Sequence, residues 1–274
     1  MKALRRKTVG LALGSGGWRG LAHLGVIKEL EKEGIPIDFI AGSSAGALIG
    51  GLYSFFGGTR EIEDINRKLS YRSLYGIILD PVRGPGLIGG RKYLDFLEKR
   101  IGDARIEDLK IKFTAVCSDL LEGDAIGIAS GKLSTAIRAS SSIPLVFKPA
   151  IINGRLLVDG GNTMPVPVKI VKEMGADIIV AVNVYNNIFP FKNEFVKGEK
   201  LTYMDITKIS YQMMLAELAR ENVKEADFVI NPKIVEGNFS LFKKFVNNPE
   251  AIEDGARSAR DIIPLLKEKI YEPS

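Results

Sequence analysis

One serine and one histidine frame the chemistry open to this chain. Ser44 lies in the pentapeptide Gly42-Ser43-Ser44-Ala45-Gly46, after the apolar run Phe39-Ile40-Ala41 and before a helix-forming segment that starts at Ala45. Strand, sharp turn and helix in that order expose a serine hydroxyl above a sheet and offer the next residue's N–H to an oxyanion. A serine hydroxyl attacks a carbonyl only when a neighbouring group takes its proton. Folds that use this turn usually supply a histidine downstream of the serine. The sole histidine here, His23, lies upstream. Either the turn is a tight corner and nothing more, or another group is the base.

Two further constellations bear on that choice. Thr8–Leu13 reads as a strand, followed by Gly14-Ser15-Gly16-Gly17-Trp18-Arg19-Gly20 and the helical stretch Leu21–Glu33. Glycines let such a loop turn tightly and approach a ligand, and N–H groups at a helix start attract anions. Far downstream, Leu156-Leu157-Val158 runs into Asp159-Gly160-Gly161. A glycine-rich loop, a G-x-S-x-G turn and a late Asp-Gly-Gly, in that order, resemble the patatin-like phospholipase family. The resemblance continues through Ser134–Pro144 and Gly175–Val182 and covers roughly residues 8–232.

That family works with a Ser–Asp dyad and no histidine, so the resemblance implies Ser44 as nucleophile and Asp159 as general base. An aspartate is a weak base in water, with a pKa near ~3.9. It needs a shielded site and separate support for the developing negative charge. The backbone N–H groups of Gly16 and Gly17, with that of Ala45, are the expected oxyanion donors, and Arg19 offers fixed positive charge nearby. The implied fold is a three-layer α/β arrangement, a mostly parallel central sheet with helices on both faces. The implied substrate is a lipid or other acyl ester, with neither metal nor organic cofactor. Acyl transfer to another alcohol is a close variant on the same site. Ser15 stands where many relatives have glycine, and Asn162-Thr163-Met164-Pro165 departs locally from the usual spacing after Asp-Gly-Gly. A catalytically silent lipid-binding protein would keep the fold, but the intact Ser44 and Asp159 argue against it.

Composition narrows the field further. With 274 residues, 46% hydrophobic and 26% charged, one α/β domain over 1–274 is expected, closing with a helical segment at about 249–272. The net charge of +5 is concentrated in Lys2, Arg5, Arg6 and Lys7. A basic arm on an otherwise neutral body does not make a nucleic-acid groove, although it is able to touch anionic lipid. Oligomeric state is not readable. The single cysteine, Cys117, lies in the apolar run Phe113–Cys117 and suits inert packing in a reducing, cytoplasmic setting. The apolar run after the arm is too short for a secretory signal and is read as the first strand.

Strand-like runs fall at 8–13, 39–42, 112–118, 124–129, 147–152, 155–158, 177–184 and 227–231. Helical patterns fall at about 18–33, 45–56, 60–69, 91–101, 133–141, 166–174, 203–224 and 250–270. The alternation predicts βαβ units and a largely parallel sheet. Residues 70–90, rich in glycine and proline, read as a long loop, and Tyr185–Lys200 as a second irregular stretch. Phe189, Phe191 and Phe195 with Lys192 and Lys197, and Phe239, Leu241, Phe242 and Phe245 with Lys243 and Lys244, mix rings with cations. Such segments can rest at a lipid interface, which makes peripheral membrane contact an expectation.

The main rival is a dinucleotide-binding oxidoreductase, since Gly14, Gly16 and Gly20 approach the fingerprint for that fold. Its acidic partner should close the second strand, yet Asp38 precedes residues 39–41. No tyrosine is followed four residues later by lysine. That reading also leaves the serine turn and Asp-Gly-Gly unexplained. His23 is expected as a packed or capping residue rather than a catalyst, and Arg138 as an internal structural one. One histidine and one cysteine give no metal-ligand spacing.

Overall fold

Short aliphatic runs punctuated by glycine become strands, and the amphipathic stretches between them become the helices that cover the sheet. The computed structural model describes residues 6–78, 80–81, 86–186, 202–234, 246 and 248–272. Its strands are β1 (Val9–Leu13), β2 (Phe39–Ser43), β3 (Lys112–Asp119), β4 (Ala125–Ile128), β5 (Ala150–Ile152), β6 (Arg155–Asp159), β7 (Ile178–Val182) and β8 (Phe228–Ile230). They form one sheet in the order β5-β6-β3-β2-β1-β7-β8, with β4 paired to β3 outside that path. The run β3-β2-β1-β7-β8 is parallel throughout, whereas β4 and β6 run antiparallel to β3.

The helices are α1 (Leu21–Lys32), α2 (Ala45–Phe56), α3 (Arg60–Lys68), α4 (Tyr71–Ile78), α5 (Arg91–Ile101), α6 (Leu133–Ser140), α7 (Val168–Glu173), α8 (Tyr203–Asn222), α9 (Pro249–Arg260) and α10 (Ile263–Tyr271). Alternate strand residues serve opposite faces, as the two-residue period requires. Leu11, Leu13, Ile40, Val180 and Val182 pack with residues of α1, α2, α5, α9 and α10. Ala12, Ala41, Ile179 and Ala181 pack with residues of α7 and α8. Small residues on the second face let those helices lie close to the sheet. This is the three-layer arrangement expected from the alternation of strands and helices, and β7 is buried along its whole length.

Two elements differ from the sequence reading. Tyr71–Ile78 is a helix, not part of a loop. Ser70 begins it, its hydroxyl accepting from the Ser73 N–H at 3.2 Å and its carbonyl from Leu74 N–H at 2.9 Å. Gly76, Pro81 and Gly84 obscured that start signal. The expected helix over 250–270 is two helices. A proline inside a continuous helix would remove one backbone bond and clash with the preceding turn, so the chain breaks at Asp261–Ile262 and restarts with Pro264 in the first turn of α10.

The two basic residues of the arm that are described lie against the body. Arg6 pairs with Asp38 at 2.7 Å and Lys7 with Glu272 at 3.5 Å. Cys117 is fully buried, as expected, and burial raises its thiol pKa. No described helix is long and apolar enough to cross a membrane.

Candidate active site

Ser44 joins β2 to α2 with φ 54° and ψ −114°, a left-handed conformation that a side chain rarely adopts. Such a residue costs on the order of 1–3 kcal/mol and persists only where its surroundings hold it. The flanking glycines permit the turn. A Cβ on Gly42 would stand 2.4 Å from the Gly46 carbonyl carbon, and one on Gly46 would stand 2.1 Å from the Leu13 carbonyl oxygen. The Ser44 carbonyl accepts the first helical bond of α2, from Leu48 N–H at 3.0 Å. Its side chain makes no cap to the helix. The hydroxyl instead donates to Asp159 Oδ2 at 2.5 Å.

The meeting of two residues 115 positions apart follows from the register of β3. Val116 pairs with both Ser43 of β2 and Gly127 of β4, and Cys117 with both Asp159 of β6 and Ile126 of β4. A strand has two edges, so β2 and β6 share the edge opposite β4. They approach along it from opposite directions and end at adjacent β3 residues. The chain that turns away after Ser43 therefore delivers Ser44 to the end of β6.

Asp159 is 5% exposed and Ser44 4%. The second carboxylate oxygen of Asp159 accepts the Gly161 N–H at 2.8 Å. Burial pushes the Asp159 carboxyl up to about 6, against the opposing pull of the hydrogen bonds from Ser44 and Gly161. The group is thus ionised at neutral pH while remaining a stronger base than a solvated aspartate.

The glycine loop is fixed by backbone bonds to the neighbouring strand and to the turn after Asp-Gly-Gly. Gly14 N–H donates to Val182 at 3.1 Å, and Ser15 N–H to Pro165 at 2.8 Å. Ser43 Oγ donates to the Met164 carbonyl at 2.7 Å, so residues 164–165 anchor both the loop and the elbow. Ser15, the departure from glycine, makes a 3.1 Å bond with the Tyr185 phenol. Gly17 has φ 58°, and a Cβ on Gly16 would stand 2.3 Å from Val184 Cγ2. Gly20 packs on Ala45, where an added Cβ would meet the Ala45 methyl at 2.3 Å. The loop and the first residue of α2 therefore touch. Arg19 is 4% exposed, with its guanidinium 5.0 Å from the centre of the Tyr185 ring.

His23 is buried on α1, and its Nε2–H donates to the Gly14 carbonyl at 2.7 Å. Burial lowers its pKa to about 4, against the bond to Gly14, so the ring is neutral. It holds the glycine loop rather than the serine. Arg138 is internal too, bonding Ser142 Oγ at 2.5 Å and the carbonyls of Lys148 at 2.7 Å and Gly89 at 2.9 Å.

Sequence reasoning did not single out Tyr185, Tyr211 or Ser140. Tyr211 donates to Asn162 Oδ1, two residues from Gly160. Ser140 Oγ accepts the Ser44 N–H at 2.8 Å. Tyr185 carried one usable signal, since residues just past the carboxyl end of a parallel strand commonly line the ligand crevice. The aromatic and basic residues at 189–197 and 239–245 lie outside the described residues. Among the described residues no group of three His, Cys, Asp or Glu side chains would hold a metal ion.

An α/β sheet with a serine elbow, an adjoining glycine loop and a carboxylate on the serine hydroxyl defines an acyl-transfer class of site. Comparison with known proteins identifies the family. It belongs to the patatin-like phospholipase family, whose pattern matches residues 11–172. It is 41% identical over 175 residues to an uncharacterized NTE family protein of Mycobacterium tuberculosis, covering 64% of this chain and 48% of that protein. It is 36% identical over 186 residues to Lysophospholipase NTE1 of Yarrowia lipolytica, covering 67% of this chain and 13% of that protein. The chain therefore spans about half or less of the length of these relatives. Its fold is similar to the crystal structure of VipD from Legionella pneumophila, with TM-score 0.52 and 13% identity over 97% of this chain and 68% of that one.

Proposed function

We propose that this chain is a serine acyl hydrolase acting on lipid-like esters through a Ser44–Asp159 dyad. The observation that carries the reading is the 2.5 Å bond from the Ser44 hydroxyl to a buried Asp159 carboxylate, while His23 is committed to the Gly14 carbonyl. Ser44 Oγ attacks the ester carbonyl as Asp159 takes its proton, and the tetrahedral oxyanion is held by the N–H groups of Gly16, Gly17 and Ala45. The start of α2 adds the positive end of its dipole. Arg19, buried in the same loop, adds fixed positive charge. Asp159 then returns its proton to the departing alcohol, and later draws a proton from the water that hydrolyses the acyl-enzyme. Family membership and the lysophospholipase relatives support a lipid ester as substrate, and reversible contact with a lipid surface accords with that substrate.

The test is turnover of p-nitrophenyl esters, lysophospholipids and diacyl phospholipids by the purified chain and by Ser44→Ala, together with fluorophosphonate labelling mapped by mass spectrometry. The wild type should hydrolyse at least one substrate class and label at Ser44 alone, and Ser44→Ala should do neither. Labelling at Ser141 or Ser142, or undiminished turnover in the variant, overturns the assignment.

A further inference from the structure

A nucleophile elbow has a structural problem at its apex. The Ser44 N–H lies between the end of β2 at Ser43 and the start of α2 at Ala45, and it is buried and bonded to a side chain. A buried amide without a partner is costly. Its partner here is the hydroxyl of Ser140, the last residue of α6, which accepts at 2.8 Å and donates its own hydrogen to the Val116 carbonyl at 2.6 Å. Val116 is the β3 residue paired with Ser43. Ser140 is 0% exposed, so no water competes for either bond.

The next two residues reach the other half of the dyad. The Ser142 carbonyl accepts the Asp159 N–H at 3.0 Å. Arg138 fixes this turn by bonding Ser142 Oγ and the Gly89 and Lys148 carbonyls. Residues 140–142 therefore hold the backbone of Ser44 at one end and that of Asp159 at the other.

We propose that Ser140 is a positioning residue for the reaction, its hydroxyl setting the distance between the Ser44 oxygen and the Asp159 carboxylate by clamping the Ser44 amide to β3. The proposal rests on the dyad reading above. Without the Ser140 hydroxyl, the Ser44 amide loses this acceptor in a buried site, and the elbow relaxes toward a less strained φ. The Ser44 hydroxyl then drifts from Asp159. A displacement of about 1 Å in a reacting group costs on the order of a hundredfold in rate, so a partial relaxation should cost about ten- to a hundredfold.

Alpha-helix α6 carries its own control. Ser134 is 1% exposed, and its Oγ has no hydrogen-bond partner among the described residues. Ser134→Ala thus removes a buried hydroxyl of the same helix that clamps nothing.

The experiment compares wild type, Ser140→Ala, Ser140→Cys, Ser134→Ala, Ser44→Ala and Asp159→Asn for kcat, KM, pH–rate profile, fluorophosphonate labelling rate and thermal midpoint. Ser140→Ala should lose about ten- to a hundredfold in kcat and in labelling rate with KM within about twofold. Its acid limb should move to higher pH, because the Ser44 bond that helps keep Asp159 ionised is weakened. Ser140→Cys, with a larger and weaker acceptor of similar shape, should fall between the two, and Ser134→Ala should match wild type. If Ser140→Ala does not fold, Ser140→Cys alone decides the matter by the same kcat loss and pH shift. Wild-type kcat and an unmoved pH profile in the folded Ser140 variants overturn the positioning role, provided Ser44→Ala and Asp159→Asn are inactive. Activity surviving in those last two overturns the dyad itself, and the positioning role with it.

Discussion

A carboxylate that is to take a proton from serine must be ionised, yet not so well solvated that it ceases to act as a base. Burial of Asp159 raises its pKa to about 6, and the bonds from Ser44 and Gly161 keep it from going higher. With Asp159 as the proposed base the ionised form is the active one, so activity should fall as pH drops through that value. The acid limb of kcat/KM should have its midpoint near pH 6, not near ~4 where a solvated aspartate titrates. A pH–rate profile on a monomeric p-nitrophenyl ester measures it, and a midpoint below about 5 would deny Asp159 the role of base. The neutral His23 supplies no second limb near pH 6, since burial lowers its pKa to about 4. Ser44 and Asp159 were legible in the sequence because each sits in a short motif with glycines at fixed offsets. Ser140 and Tyr185 were not, because a hydroxyl's partner depends on which strand ends face each other. Only the β3 register fixes that.

Among the elements, α1 and α9 show how glycine outside any motif can matter as much as glycine inside one. A Cβ on Gly25 of α1 would lie 1.8 Å from the Ile252 carbonyl oxygen, and one on Gly255 of α9 would lie 2.0 Å from the Ala22 carbonyl oxygen. The two backbones are in direct contact, and the crossing is tied by Arg260 to the buried Glu29 at 3.1 Å. Gly25→Ala would ordinarily favour a helix by about 1 kcal/mol. Here overpacking should outweigh that gain, lowering stability by about 1–3 kcal/mol. Because α1 carries His23 and begins at the glycine loop, kcat should fall as well, while an Ala at exposed Gly76 should leave kcat unchanged. Urea unfolding and kcat on the two variants check this, and an unchanged unfolding midpoint in Gly25→Ala would show the crossing to be adaptable. The sequence predicted most strands and helices within a few residues, because apolar periodicity and glycine punctuation agree there. It missed α4, where the Ser70 cap is diluted by glycine and proline, and the break at Pro264, where apolar spacing runs on across two helices. It did not foresee that α1 and α9 would touch, since a lone glycine in a helix pattern looks only like a weak helix former.

At the scale of the whole molecule, two buried groups near the site that titrate on the acid side, His23 and Asp159, oppose one another in pH. His23 binds a proton near 6.5 when unfolded and only near about 4 when folded. Between those values the unfolded chain holds more protons, so this residue makes stability rise with pH. Asp159 does the reverse. Its folded pKa of about 6 exceeds the ordinary 3.8, so the folded chain holds more protons between those values and stability falls as pH rises. Over pH 4.5–6 the two slopes nearly cancel in the wild type. Removing one exposes the other. Asp159→Asn should gain stability relative to wild type as pH rises from 4.5 to 6.5, by about 2 kcal/mol, while losing its activity. His23→Gln, whose amide can still donate to Gly14, should lose a similar amount over the same interval. Paired carboxylates such as Glu29 and Asp119, whose pKa values are lowered by their hydrogen-bond partners, weaken the fold only at more acid pH. They do so equally in all three proteins, so differences between variants isolate the two buried groups. Urea midpoints at pH 4.5, 5.5 and 6.5 give the slopes. Opposite signs for the two variants are required, and parallel slopes would mean that neither His23 nor Asp159 is held in the protonation state its burial dictates.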